Sequence, residues 1–147
     1  MNTEKLTITG RVLIEHWNSD GVLLNRIEQK NLIPTVGKAY VAQMIANDAT
    51  TPMSHMAIGS SATAPTIADT TLNAELGRVA LTSTTSSTNT VIYVANFGAG
   101  VGTGTLNEAG LFNAGAAGTM LAHTLFAAAI PKAAGDSVAL TWTVTVS

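Results

Sequence analysis

Residues 137–146 read SVALTWTVTV, and the alternation in this stretch decides the fold class. Val138, Leu140, Trp142, Val144 and Val146 fall on one face of an extended chain. Ser137, Ala139, Thr141, Thr143 and Thr145 fall on the other. Successive side chains of a strand point to opposite faces, so the pattern predicts a half-buried β-strand with Trp142 in the core. Residues 89–98 (NTVIYVANFG) alternate Val91, Tyr93, Ala95 and Phe97 with Ile92, Val94 and Asn96. Both of those faces are largely apolar, which suits a central strand of a sandwich. Residues 78–86 read as its hairpin partner, and 53–59, 105–113 and 118–129 as further strands.

At the start of the chain, residues 5–17 alternate Leu6, Ile8, Val12 and Ile14, with Gly10 as a bulge or close-packing point. Asp20-Gly21 marks a hairpin turn, because both residues accept positive φ cheaply. The return strand, 22–31, has no cleanly apolar face, which predicts an edge or a partner-facing strand. One helix is predicted over about 35–47. Pro34 suits its first turn, and Val36, Tyr40, Val41, Met44 and Ile45 form a single apolar stripe. Asn47-Asp48 and Pro52 end it. A second short helix is predicted from Asp69 to Leu76, with Asp69 as N-cap. About eight strands and Gly- and Ser-rich turns predict a mainly β fold. We expect an antiparallel, jelly-roll-like β-sandwich with one α-helix, in a single domain over 1–147.

Composition narrows the function. The chain of 147 residues has no Cys, which excludes disulfides, thiolate metal sites and Cys nucleophiles. Its net charge of −2 excludes nucleic acid as the main partner, since that needs a basic face. The N-terminus lacks a signal-peptide core, and the apolar run Leu121–Ile130 is far short of the ~20 residues that span a bilayer. No membrane is therefore expected. Charge is unevenly spread: residues 1–48 carry ten charged side chains, and 49–147 carry six, Asp69, Glu75, Arg78, Glu108, Lys132 and Asp136. An ordinary surface is about 25–35% charged, so the charge-poor region predicts a surface covered by partners, the alternative being a Thr-rich monomer surface solvated by Thr, Ser and Asn.

Motifs for chemistry are weak. GAGVGTG at 98–104 has Thr103 where a dinucleotide loop needs Gly, and it joins two predicted strands. Gly37-Lys38 lacks the upstream Gly of a phosphate loop. His16, His55 and His123 have no metal-ligand spacing, so each is expected to be an ordinary hydrogen-bonding strand residue. Glu108 sits in an otherwise apolar strand. A catalytic acid is one reading; a structural carboxylate paired with a cation or backbone N–H groups, Arg78 among the candidates, is the favoured one. Trp17 and Tyr93 are the residues a sugar-binding reading would need on a concave face. No catalytic, cofactor-binding or metal residue is assigned.

NLIPTVGKAYVAQMIAND, SHMAIGSSATAPTIADTTLNAELGRVAL, TGTLNEAGLFN and AGTMLAHTLFAAAIPKAAGDSVALTWTVTVS together resemble a family of small virion structural proteins of tailed bacteriophages. These are tail-fibre-like, tail or head-decoration proteins, and the resemblance covers about residues 31–147. The residues that match it are Asn31, Gly37, Gly59, Leu72, Glu75, Arg78, Glu108, Gly110, Leu111 and Phe112, read as fold-defining. Glu75 and Arg78, three apart, are expected to pair on the short helix and its exit.

The resemblance implies a virion part and not an enzyme. The preferred expectation is a capsid decoration (cement) protein on the head surface, bound to the major capsid protein and to copies of itself, most simply as a trimer. The alternative is a tail, baseplate or fibre-attachment protein bound to other tail proteins. In either case it is made in the host cytoplasm and takes no cofactor.

Overall fold

The structure, a computed structural model, describes residues 4–48 and 50–147. Its strands in chain order are β1 (Ile8–Trp17), β2 (Leu23–Lys30), β3 (His55–Gly59), β4 (Glu75–Ala80), β5 (Ser83–Ser87), β6 (Thr90–Phe97), β7 (Gly104–Phe112), β8 (Met120–Lys132) and β9 (Ser137–Val146). The helix α1 (Thr35–Ala46) lies between β2 and β3. A five-stranded sheet runs β2-β1-β9-β6-β5 and a four-stranded sheet runs β4-β3-β7-β8. Every pairing is antiparallel, so the fold is the β-sandwich expected, with nine strands among the described residues.

The alternation along β9 carries through. Val138, Leu140, Trp142 and Val144 are buried, and Trp142 is fully enclosed. They meet Val12 and Ile14 of β1 and Ala95 and Phe97 of β6 on the inner face of the large sheet. Met56 and Ile58, Leu106, Ala109 and Leu111, and Leu121, Phe126 and Ile130 face them from β3, β7 and β8. Non-directional apolar burial of this kind is the main favourable term in folding.

Three expectations are corrected. Residues 78–86 do not form one strand hairpinned to β6. The chain changes sheet at Leu81-Thr82, where the Leu81 amide bonds to Ser54 in the small sheet's neighbourhood and the Thr82 amide bonds to Val94 of β6. Alternation alone cannot mark such a crossing, because both halves remain extended. The short helix from Asp69 to Leu76 is absent; the segment is a loop that enters β4 at Glu75. Its amides are taken by a side chain from another strand, as described below. Finally, α1 has the predicted extent, and Asn47 closes it in a left-handed conformation, but its stripe is only partly buried. Tyr40 is buried, Val41 half-buried, and Met44 and Ile45 are 42% and 76% exposed.

Helix α1 is seated by Gly37. A Cβ at that position would stand 2.4 Å from the Leu121 carbonyl of β8, so only glycine lets the helix approach this closely. Strand β2 is an edge, as its mixed faces predict. Just beyond it, Asn31 lies across Gly10 and accepts a hydrogen bond from Trp142 Nε1 at 2.9 Å. A fully buried indole N–H needs such an acceptor.

Candidate functional site

Two surfaces stand out. The first is the outer face of the small sheet, where most of the family-matching residues converge. Antiparallel register places Gly110 opposite Ala57 on one side and His123 on the other. Arg78 lies opposite Ala57, and Glu75 opposite Gly59. A bulge in the β3–β4 pairing leaves Leu76 without a partner, which puts Glu75 and Arg78 on the same face although they are three apart. The expected pair therefore forms, but on a strand. Glu75 Oε1 and Oε2 accept from Arg78 at 2.7 and 3.3 Å.

Glu108 is fully buried and does not meet Arg78, which corrects that candidate pairing. Its oxygens accept from the amides of Asn73 (3.2 Å) and Ala74 (2.8 Å) and lie 2.9 Å from His123 Nε2. The other ring nitrogen, Nδ1, is 2.8 Å from Asp69 Oδ2. The ring is thus held at both nitrogens, each within hydrogen-bond distance of a carboxyl group. Asp69 turns back to take the amide and hydroxyl of Thr66, each at 2.8 Å. Burial opposes its ionisation, but the Thr66 groups and the His123 ring outweigh it and hold its carboxyl below the usual range. These bonds use the polar groups that a helix over 69–76 would have needed.

The trio straps the loop 60–74 across the sheet. Leu72 is buried beneath the strap against Ala57, Phe112 and Met120. A Cβ on Gly59 would fall 2.5 Å from the Ala74 carbonyl and 2.6 Å from Glu108 Oε1, so the strap needs glycine there. Gly110 lies under the same loop, and Leu111 faces the opposite way into the main core. A second loop, 113–119, is fastened by Arg78, which donates to the carbonyls of Ala114 (3.0 Å) and Ala117 (2.8 Å) and lies 3.9 Å over the Phe112 ring. Among the described residues, no buried side-chain polar atom lacks a partner. Chemically this face is a fastener: its charges are spent on backbone amides, carbonyls and each other.

His55 shares this face, its ring against Gly115 of the loop 113–119, whereas His16 lies apart on the large sheet. His16 Nε2 is 2.8 Å from Asp136 Oδ2, and Asn25 Nδ2 is 3.0 Å from its Nδ1. The His16 bond, then the Ala133 amide, holds the Asp136 carboxyl below its usual range. Buried Lys132 nearby donates to the Gly98 carbonyl at 2.9 Å, and burial pushes its ammonium down, Asp136 opposing. His55 bonds to Ser54. No group of residues able to hold a metal ion occurs among those described.

The second surface is an open, apolar groove of about 350 Å³ between α1 and one end of the large sheet. Tyr40, Met44 and Ile45 form one wall, and Thr84, Val91, Tyr93, Val144 and Val146 the other. None of its lining residues is charged. Burial, with a smaller push from Tyr40, raises the Tyr93 phenol to about 12. Tyr93 and Trp17 are both half-buried, so neither is the exposed platform that sugar stacking needs.

Sequence reasoning singled out Glu108 but missed His123 as its partner and Asp69 as the partner of that ring's other nitrogen. The available signal was Thr66-Ile67-Ala68-Asp69, a turn-type spacing, but only the strand register brings His123 beside Glu108.

Comparison with known proteins places the chain. Residues 28–144 match the family described as phage tail-collar fibre protein, N-terminal. No curated protein and no solved structure matches it. The match covers the helix, the strap, the whole small sheet, and β5, β6 and most of β9 of the large sheet, while β1 and most of β2 lie outside it; all ten residues of the motif lie within it. The chain belongs to the phage tail-collar fibre family and is a structural protein of the tailed-phage virion.

Proposed function

We propose that this chain is an attachment domain, seating a fibre on the collar end of a phage tail. The observation that carries the reading is the family match over residues 28–144, which favours the tail over capsid decoration. The two surfaces fit such an adaptor. The strapped face keeps the sandwich rigid, while the uncharged groove leaves apolar area open for a neighbouring protein. The role is mechanical, not catalytic: both nitrogens of His123 and the oxygens of Glu108 are engaged within the fold. Attachment at the tail calls for a few copies per particle, whereas decoration calls for a number on the order of hundreds, set by shell symmetry.

Cryo-EM of the purified virion, with gel densitometry for copy number, tests the proposal. A small, fixed number of copies at the tail is expected. Copies distributed over the head lattice would overturn it and reinstate the decoration reading.

A further inference from the structure

The sandwich has four edge strands, β2 and β5 in the large sheet and β4 and β8 in the small one. Three are guarded in the ways proteins use against unwanted pairing. Strand β2 carries Arg26, Glu28 and Lys30. Strand β4 carries the Glu75–Arg78 ion pair and a bulge. Strand β8 carries Pro131, and its edge is covered by the Leu32 bridge to His123 and by Gln29, which takes the Ala127 amide. Strand β5 has none of these devices. Its sequence, Ser-Thr-Thr-Ser-Ser, holds no charge and no proline, all five residues are exposed, and it pairs with β6 in unbroken register. Its outer side is a row of backbone groups that an added strand would satisfy.

We propose that β5 is the edge at which a second copy of this chain joins the sheet, its own β5 pairing antiparallel about a two-fold axis at Thr85. That pairing sets Ser83 against Ser87 and Thr84 against Ser86, so only small hydroxyl side chains meet and no like charges oppose. One contact satisfies the row in both copies and joins two five-stranded sheets into one. Thr84 belongs to β5 and also to the wall of the uncharged groove, so the contact continues from a surface already free of charge. The inference stands independently of where on the virion the chain sits.

Sedimentation velocity on the full chain, across concentration, tests it. The wild type is expected to dimerise. Thr85→Lys and Thr85→Glu each place like charges opposite one another at the axis and are expected to weaken the dimer by about tenfold or more, less so as salt is raised. Mixing the two variants restores association, because Lys then faces Glu. Thr85→Val dimerises like the wild type. Thr85 is exposed, so all three variants keep the wild-type circular dichroism and, at concentrations where each is monomeric, the same melting temperature. A wild type that stays monomeric overturns the proposal. So does an oligomer indifferent to both charged variants, or β5 protected from hydrogen exchange only when another virion protein is added.

Discussion

The outer face of the small sheet and the helix end of the large sheet use opposite chemistry. On the small sheet, Glu108, Asp69, Glu75 and Arg78 are four of the six charged residues in 49–147, and with His123 each bonds to loop backbone or to another member of the group. At the helix end, Met44 and Ile45 stand in the open beside a groove without a charged residue. A monomer with nothing to bind would gain by the reverse arrangement, with charges in water and apolar side chains covered. The contrast teaches that ionic groups here act as internal fasteners, and that the unfinished apolar surface is where the protein meets other proteins.

The strongest way to break the comparison is to remove a fastener. Glu108→Ala leaves the buried His123 ring and the amides of Asn73 and Ala74 without their acceptor, and is expected to cost about 3–5 kcal/mol in urea unfolding. A loss well under that would mean that the strap is not held by this trio. Next in size is the seat of the helix. Gly37→Ala forces α1 away from the Leu121 carbonyl and is expected to cost about 1–3 kcal/mol by the same assay. That loss would sharpen the comparison, since the helix then has one fixed face and one open one.

Acid provides a graded test. The carboxyls of Asp69 and Asp136 are held below their usual range, so the unfolded chain binds more protons than the folded one in the acid region. Their contribution is complete above the unfolded value of about 3.9 and is lost as the pH falls through the lower folded values. The urea midpoint should therefore fall between about pH 4 and pH 2, and Asp69→Asn should remove part of that fall. The smallest effect on stability is expected at the open surface. Ile45→Ser should change unfolding by no more than about 0.5 kcal/mol while weakening attachment to the particle, scored by its yield on virions assembled with the variant. A stability loss as large as that of Gly37→Ala would show that Ile45 is part of the packed fold.

The same contrast explains what the sequence made legible. Strand β9 and the buried Trp142 were plain from residues 137–146, because period-two alternation records a strand with one face in the core. The helix limits were plain from Pro34 and Asn47. Its burial was not, because an apolar stripe fixes a face without saying whether this chain covers it. The jump from β4 to β5 was hidden, since extended chain looks alike on either sheet. Glu108 was visible as a lone acid among apolar residues, and its structural role was the reading favoured from the residues. Its partners were invisible, because His123 reaches it through strand register and the Asn73 and Ala74 amides through a loop with no periodicity of its own. The motif residues were visible together only as a resemblance; the structure gathers Gly59, Leu72, Glu108 and Gly110 around one strap, while Asn31, Gly37 and Leu111 serve elsewhere in the fold.

Hydrogen–deuterium exchange of the chain within the assembled particle, against the isolated chain, tests the central contrast most directly. The account predicts added protection in α1, which borders the groove, and no change in β5, already paired in the free dimer, or in the strap 60–74, already fastened by Glu108 and His123. Added protection confined to the strap, with α1 exchanging as it does in the free chain, would contradict it.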